Sequence, residues 1–266
     1  MHRPAVFSVI VPTHLRPRLL QRALESIKAQ VADVPVEVIV VSDAIDPATE
    51  TICNTLLSPN DIYLRRNGVR GPSESRNLGL SLTSGQYVLF LDDDDAWHPN
   101  FIGQLWEAIH SNPEQCLYVN CSVVKESRSS PEPEFLSEAF LNLENMLTPE
   151  VFVKNQVHMS CCVFPKYVLK GLEFDKHMRA YEDWDFQLSA FERSFPVHVP
   201  IVGSRIFEVD DASTDRRGSS QAATDLNAVF DYLYVYRRHP GPTDAIKQSR
   251  QSLLASVGLS IDTNML

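Results

Sequence analysis

The chain is short of positive charge. Its 266 residues carry 24 Lys and Arg against 34 Asp and Glu, a formal net charge of -10. Neutralising a phosphate backbone needs the opposite balance, so nucleic acid is not an expected partner, and a broad basic membrane-binding face is disfavoured. Cysteine is also scarce. Cys53, Cys116, Cys121, Cys161 and Cys162 form no CxxC pair and do not suggest a zinc site. A chain this long, 44% hydrophobic, builds a core without a disulfide framework, so reduced thiols are expected. No run approaches the ~20 apolar residues that span a bilayer. The start, Met1-His2-Arg3-Pro4, leads into a short strand without the apolar stretch of a signal peptide. The expected setting is cytoplasmic, at most at a membrane surface. Internal repeats and low-complexity segments are lacking too.

What is present is an alternation of strand and helix signals. Val6 to Val11, Val36 to Val41 and Tyr87 to Leu91 are continuous apolar runs, the second broken by one Glu, and Asp61 to Leu64 is a weaker strand. Between them lie helical patterns: Arg18 to Val31, with Leu20, Ala23, Leu24, Ile27 and Val31 on one face, then 46–57 after Asp46-Pro47, and Ser73 to Thr83. Pro99 to Ile109 follows as another helix. Strands buried on both faces with helices between them predict a mostly parallel α/β sheet. Beyond Tyr118 the pattern weakens. Residues 125–135 read as a mobile polar loop, Cys161 to Phe164 as a short strand and Glu182 to Arg193 as a helix. Two C-terminal helices carry Val229, Phe230 and Leu233, then Ile246, Leu253, Leu254 and Val257.

Open parallel sheets bind ligands beyond the carboxyl ends of their strands. Three polar clusters fall there: Pro12-Thr13-His14-Leu15-Arg16, Ser42-Asp43-Ala44-Ile45-Asp46 and Asp92-Asp93-Asp94-Asp95. Four adjacent carboxylates repel, and a divalent cation relieves that repulsion. The acidic run therefore reads as a site for Mn or Mg with a diphosphate; the competing reading is a solvated acidic turn. Asp43 is placed to accept an N–H from a nucleobase, or to form an Asx turn. Arg76 would face base or phosphates, or form a surface salt bridge. Glu182 and Asp183, in Tyr181-Glu182-Asp183-Trp184-Asp185, offer a general base at a helix start; acidic residues following a helix cap would look the same.

These segments resemble family 2 of the inverting glycosyltransferases, which have the GT-A fold. The resemblance rests on Val9-Ile10-Val11-Pro12-Thr13 with Arg16, Val38 to Asp43, Ser75-Arg76-Asn77-Leu78-Gly79, Gly85 to Asp95 with Trp97 and Pro99, and Glu182-Asp183-Trp184-Asp185. It covers roughly residues 6–195. The resemblance implies a Rossmann-like sheet flanked by helices, with a nucleotide half of about 1–115, an acceptor half of about 116–205, and a loop plus helical extension at 206–266. Pro12, Thr13, Arg16, Asp43, Arg76, Asp92 and Asp93 would bind the nucleotide, with uracil the expected base. Asp94 and Asp92 would hold the metal, with Asp95 the alternative ligand. Asp183 would be the general base and Glu182 its assistant. The implied reaction is transfer from a UDP-sugar to a glycan or lipid-linked acceptor in bacterial surface polysaccharide assembly. A lipid-linked acceptor would bring the enzyme to the inner face of a membrane.

This sequence departs from the family in two places. Ser42-Asp43-Ala44-Ile45 replaces a more common Asp-Asp-Gly-Ser, and Asp93 stands where a small residue is usual. Arg216 and Arg217 sit in a segment that would close over the diphosphate or remain solvated. Two competing functions are a sugar nucleotidyltransferase and a non-catalytic nucleotide-sugar binding module. The first is disfavoured because Pro12 to Arg16 contains no Gly; the second, because Asp94 and Asp183 are both present.

Overall fold

A computed structural model describes residues 5–130, 132–178, 180–210 and 226–266. Its first half follows the sequence pattern closely. Strand β1 (Phe7–Thr13) is buried along its whole length, and α1 (Pro17–Lys28) covers it with Leu20, Ala23, Leu24 and Ile27. Strand β2 (Val36–Ser42) leads to α2 (Pro47–Leu56), capped by the Asp46 carboxylate, which accepts from the Ala48 and Thr49 amides. Strand β3 (Ile62–Arg65), α3 (Pro72–Leu82) and β4 (Tyr87–Phe90) complete the unit. These strands lie in the order β3-β2-β1-β4, all parallel. The chain therefore reverses its direction of travel across the sheet between β1 and β4. That switch point opens a crevice at the carboxyl edge.

Two local devices set this half. Gly79 lets α3 lie close on β1, since a Cβ there would come within 2.5 Å of Ile10 Cγ2. The lone charge in β2, Glu37, is 8% exposed. It accepts from Ser8 Oγ, from Ser84 N and Oγ at 2.5 and 2.7 Å, and from Gly85 N at 3.2 Å. Burial opposes its ionisation, but these donors together hold the carboxyl below its ordinary range.

Beyond β4 the sheet becomes mixed. A short β5 (Ala96–Trp97) and α4 (Phe101–Ile109) precede β6 (Leu117–Ser127) and β7 (Glu134–Leu141). After two 3-10 turns come β8 (Cys162–Pro165), α5 (Glu182–Phe191) and β9 (Val197–Val209). Strand β8 inserts antiparallel between β4 and β6, and β9 runs parallel to β6. The segment 125–135, expected as a loop, instead contributes to a β6–β7 hairpin with a bulge at Lys125/Glu126. Every residue of β7 is exposed, so no alternation of apolar and polar residues marks it as a strand.

The C-terminal helices α6 (Leu226–Arg238) and α7 (Asp244–Ser256) join the same core through Val235, Tyr236 and Leu254. Phe230 and Val257, placed on their apolar stripes by periodicity, are 65% and 44% exposed. The boundary expected at residue 205 falls inside β9. All five cysteines are buried and free. Among the described residues no helix is long and apolar enough to cross a membrane.

Candidate active site

A cavity of about 580 Å³ opens at the carboxyl edge of β1, β2 and β4. All ten residues singled out by the sequence line it: Pro12, Thr13, Arg16, Asp43, Arg76, Asp92, Asp93, Asp94, Glu182 and Asp183. Strand ends supply most of them. Arg76 comes from α3, and Glu182 and Asp183 come from the first turn of α5. Tyr181, just before α5, has a left-handed backbone (φ 63°), unusual for an aromatic residue and a strain of the kind found at functional sites.

At the β2 end, the Asp43 carboxylate accepts from the Gly71 amide at 2.7 Å and contacts His14 Nδ1, with Arg66 Nη2 at 3.6 Å. It is thus more than an Asx turn. A carboxylate has about four acceptor positions, so capacity remains for another donor.

The four aspartates separate into different environments. Asp92 Oδ1 accepts from Arg76 Nη2 at 2.7 Å. Burial would raise its pKa, but the charges of Arg76 and His158 outweigh that and hold it low. Asp93 turns back toward the loop after β1, accepting from Thr13 Oγ1 at 2.7 Å and from His14 N and Arg16 Nη1 at 3.3 Å each. Burial and the neighbouring Asp94 push its carboxyl up to about 6. Asp94 Oδ2 faces Arg16 Nη1 at 3.1 Å and Arg128 Nη1 at 3.3 Å. Asp95 accepts from Ser160 Oγ at 2.9 Å and from Phe207 N at 3.1 Å. Burial and the charges of Asp94 and Asp92 push it up to about 7, against the pull of His158.

Asp93, expected on the nucleotide, lines the cavity with its carboxylate accepting from the hydroxyl of Thr13 and the amide of His14. The sequence reading placed Asp94 and Asp92 on a metal. Among the described residues, the group with metal-capable atoms within 4.8 Å of one another is Asp92, Asp95 and His158. Asp94 is drawn away by its two arginines. His158 Nδ1 lies 3.7 Å from Asp95 Oδ2. Burial lowers its pKa, but Asp95 and Asp92 raise it further. Two carboxylates and an imidazole fit a divalent cation.

Arg76 lines the cavity. It bridges Asp92 and Glu182, with Nη1 2.9 Å from Glu182 Oε1. Burial disfavours its charge, but Asp92 and Glu182 raise its pKa. Glu182 is raised by burial and by the charge of Asp183, with Arg76 opposing. The Asp183 carboxylate accepts from the Trp184 amide at 2.8 Å through Oδ1, which leaves Oδ2 for another donor.

Sequence reasoning placed His14 in the first polar cluster without a role and missed Arg128 and His158. Arg128 directly follows β6 and reaches Asp94 and Glu126. His158 sits in Val157-His158-Met159, a stretch with no motif. Arg216 and Arg217 lie outside the described residues.

A 29% identical relative over 207 residues is a GalNAc(5)-diNAcBac-PP-undecaprenol beta-1,3-glucosyltransferase from Campylobacter jejuni, covering 76% of this chain and 65% of the relative. The succinoglycan biosynthesis protein ExoO of Rhizobium meliloti is 27% identical over 231 residues, covering 81% and 66%. The chain thus spans about two thirds of the length of both. Among solved structures, S. aureus TarS 1-349 in complex with UDP-GlcNAc superposes with a TM-score of 0.66 at 19% identity, covering 94% of this chain and 72% of TarS 1-349. The fold is therefore the GT-A arrangement of such enzymes. The sequence profile of Glycosyl transferase family 2 matches residues 8–164, more than half the chain, and this chain belongs to that family.

Proposed function

We propose that the chain is an inverting glycosyltransferase that moves a sugar from a UDP-sugar onto a hydroxyl of a glycan or lipid-linked acceptor in surface-glycan assembly. The observation that carries this reading is the division of labour between neighbouring acids. Glu182 is held by Arg76, whereas Asp183, on the same cavity wall, keeps an oxygen that has no donor among the described residues. A base must reach the proton it removes, and Asp183 is the acid free to do so. The named activity of the Campylobacter relative and the UDP-GlcNAc bound to TarS support the substrate classes.

In this reading Asp43, with Pro12 and Thr13 beside it, accepts from the nucleobase. Asp92, Asp95 and His158 hold the divalent cation, and Arg16 and Arg128 present positive charge beside Asp94 toward the diphosphate. When bound, the cation supplies a Lewis acid that neutralises charge on the departing diphosphate. Arg76 couples the two walls by tying Asp92 to Glu182. Asp183 takes the acceptor proton as the hydroxyl attacks the anomeric carbon, and the configuration inverts. The donor half is residues 1–115 and the acceptor half 116–205, with the lipid-linked acceptor bringing the enzyme to the inner membrane face.

Calorimetric titration with UDP, with Mn and then with Mn chelated, tests the donor site. Binding that requires Mn is the expected result. Absence of binding in both conditions overturns the uridine assignment, and GDP would be titrated next.

A further inference from the structure

Helices α6 and α7 lie beyond the family match, and none of their described residues lines the cavity. They nevertheless hold the helix that does. From α6, Tyr232 packs edge-on against Tyr181 with centroids 4.8 Å apart, and Tyr236 donates to Val153 O at 2.6 Å. Just past α6, His239 faces one acid inside α5 and one at its C-terminal cap. Its Nε2 lies 3.1 Å from Asp185 Oδ1 and its Nδ1 lies 2.9 Å from Glu192 Oε1. Arg238 Nε donates to the same Asp185 oxygen at 2.7 Å. Asp185 and Glu192 are seven residues apart, two helical turns along one face. Asp185 is fully buried, and its Oδ2 has no hydrogen-bond partner among the described residues.

Ionised carboxylates only accept hydrogen bonds. A ring nitrogen facing one must donate, and an imidazole facing two carboxylates must carry both protons. We propose that His239, as an imidazolium, is a positioning residue that clamps α5 along two turns and thereby fixes where Glu182 and Asp183 enter the cavity. The inference rests on the reading of α5 as the helix that carries the base. Two cations and one further acid adjoin the clamp, so the charge on His239 rests on Asp185 and Glu192. Arg238 is also bound to Asp175 at 3.4 Å, Tyr234 OH donates to Asp175 at 2.8 Å, and the α7 guanidinium of Arg250 donates to the His239 carbonyl at 2.7 Å. Burial alone would lower the His239 pKa; the hydrogen bonds to Asp185 and Glu192 more than reverse that. Loss of one proton removes one of the two contacts. It also leaves Asp185 with Arg238 alone, or Glu192 without its donor.

The test compares His239→Gln and Glu192→Gln with the parent chain. UDP affinity is measured by calorimetry, kcat from UDP release by the UDP-sugar the protein turns over, and the protonation of His239 by 15N NMR. His239→Gln is expected to leave UDP affinity within about twofold while kcat falls, by up to roughly 100-fold if the base is displaced by about 1 Å. Glu192 has a half-exposed side chain, so Glu192→Gln should fold even where His239→Gln does not. That variant should lower the NMR midpoint of His239 and move the high-pH fall in kcat to lower pH. An unchanged midpoint, or His239 with a single ring proton at pH 7, overturns the proposal. Asp183→Asn is run in parallel. If it keeps the parental rate, the base assignment fails; if it is inactive while His239→Gln keeps the parental kcat, the clamp alone fails.

Discussion

The two halves of this molecule are built on different terms. Strands β1 to β4 run parallel with a helix between each and the next, and most ligand-facing residues sit where a strand ends. From β6 onward the sheet mixes parallel and antiparallel pairings. Strand β6 uses its first two residues against β8, then takes β7 on that edge and β9 on the other. The first half presents chemistry on a regular scaffold. The second supplies single residues, His158, Arg128 and His239, from places no motif marks.

Breaking the chemistry should give the largest effect. Asp183→Asn removes the proposed base, and transfer should fall by about 10²–10⁴-fold with metal-dependent UDP binding retained. A near-parental rate by product analysis would hand the base role to another group. Next is the metal group, which sets the halves against each other directly. His158→Ala should weaken Mn-dependent UDP binding by at least about 10-fold, the effect of losing even an outer partner of a ligand. Asp94→Asn should retain Mn dependence. The reverse pattern in calorimetry would return the metal to the first half's own motif.

Stability changes are smaller and sharpen the same contrast. Gly79→Ala places a methyl 2.5 Å from Ile10 Cγ2 and should cost about 1–3 kcal/mol by denaturant unfolding. Glu37→Gln removes the charged acceptor for Ser8, Ser84 and Gly85, and should cost about 1–3 kcal/mol at neutral pH. The folded pKa of Glu37 is depressed. Its contribution is therefore present above the unfolded carboxyl pKa of about 4.3 and lost as pH falls through the lower folded value. The Glu37→Gln penalty should shrink across that acid window; a penalty that does not change with pH would contradict the depressed pKa. Last, Phe135→Ser on β7 is 61% exposed in the parent and should change stability by no more than about 0.5 kcal/mol. A loss of several kcal/mol would mean that β7 is covered in solution.

The sequence by itself determined the parallel half and the crevice. Apolar runs such as Val9-Ile10-Val11 and Val38-Ile39-Val40-Val41 have one way to be buried on both faces, and the polar residues that follow them must emerge at one edge. Those signals are local, so most of the residues that line the cavity could be picked out before any coordinates. Tertiary structure decided how they are used. Whether Asp94 faces a metal or two arginines depends on Arg128, which β6 brings back from 34 residues away. Whether Asp92 has an imidazole beside it depends on a 3-10 turn near residue 159. Charges interact through space with strengths set by distance and burial. Chain order specifies neither, so the roles within the acidic run, and the His239 clamp behind α5, exist only once the chain is folded.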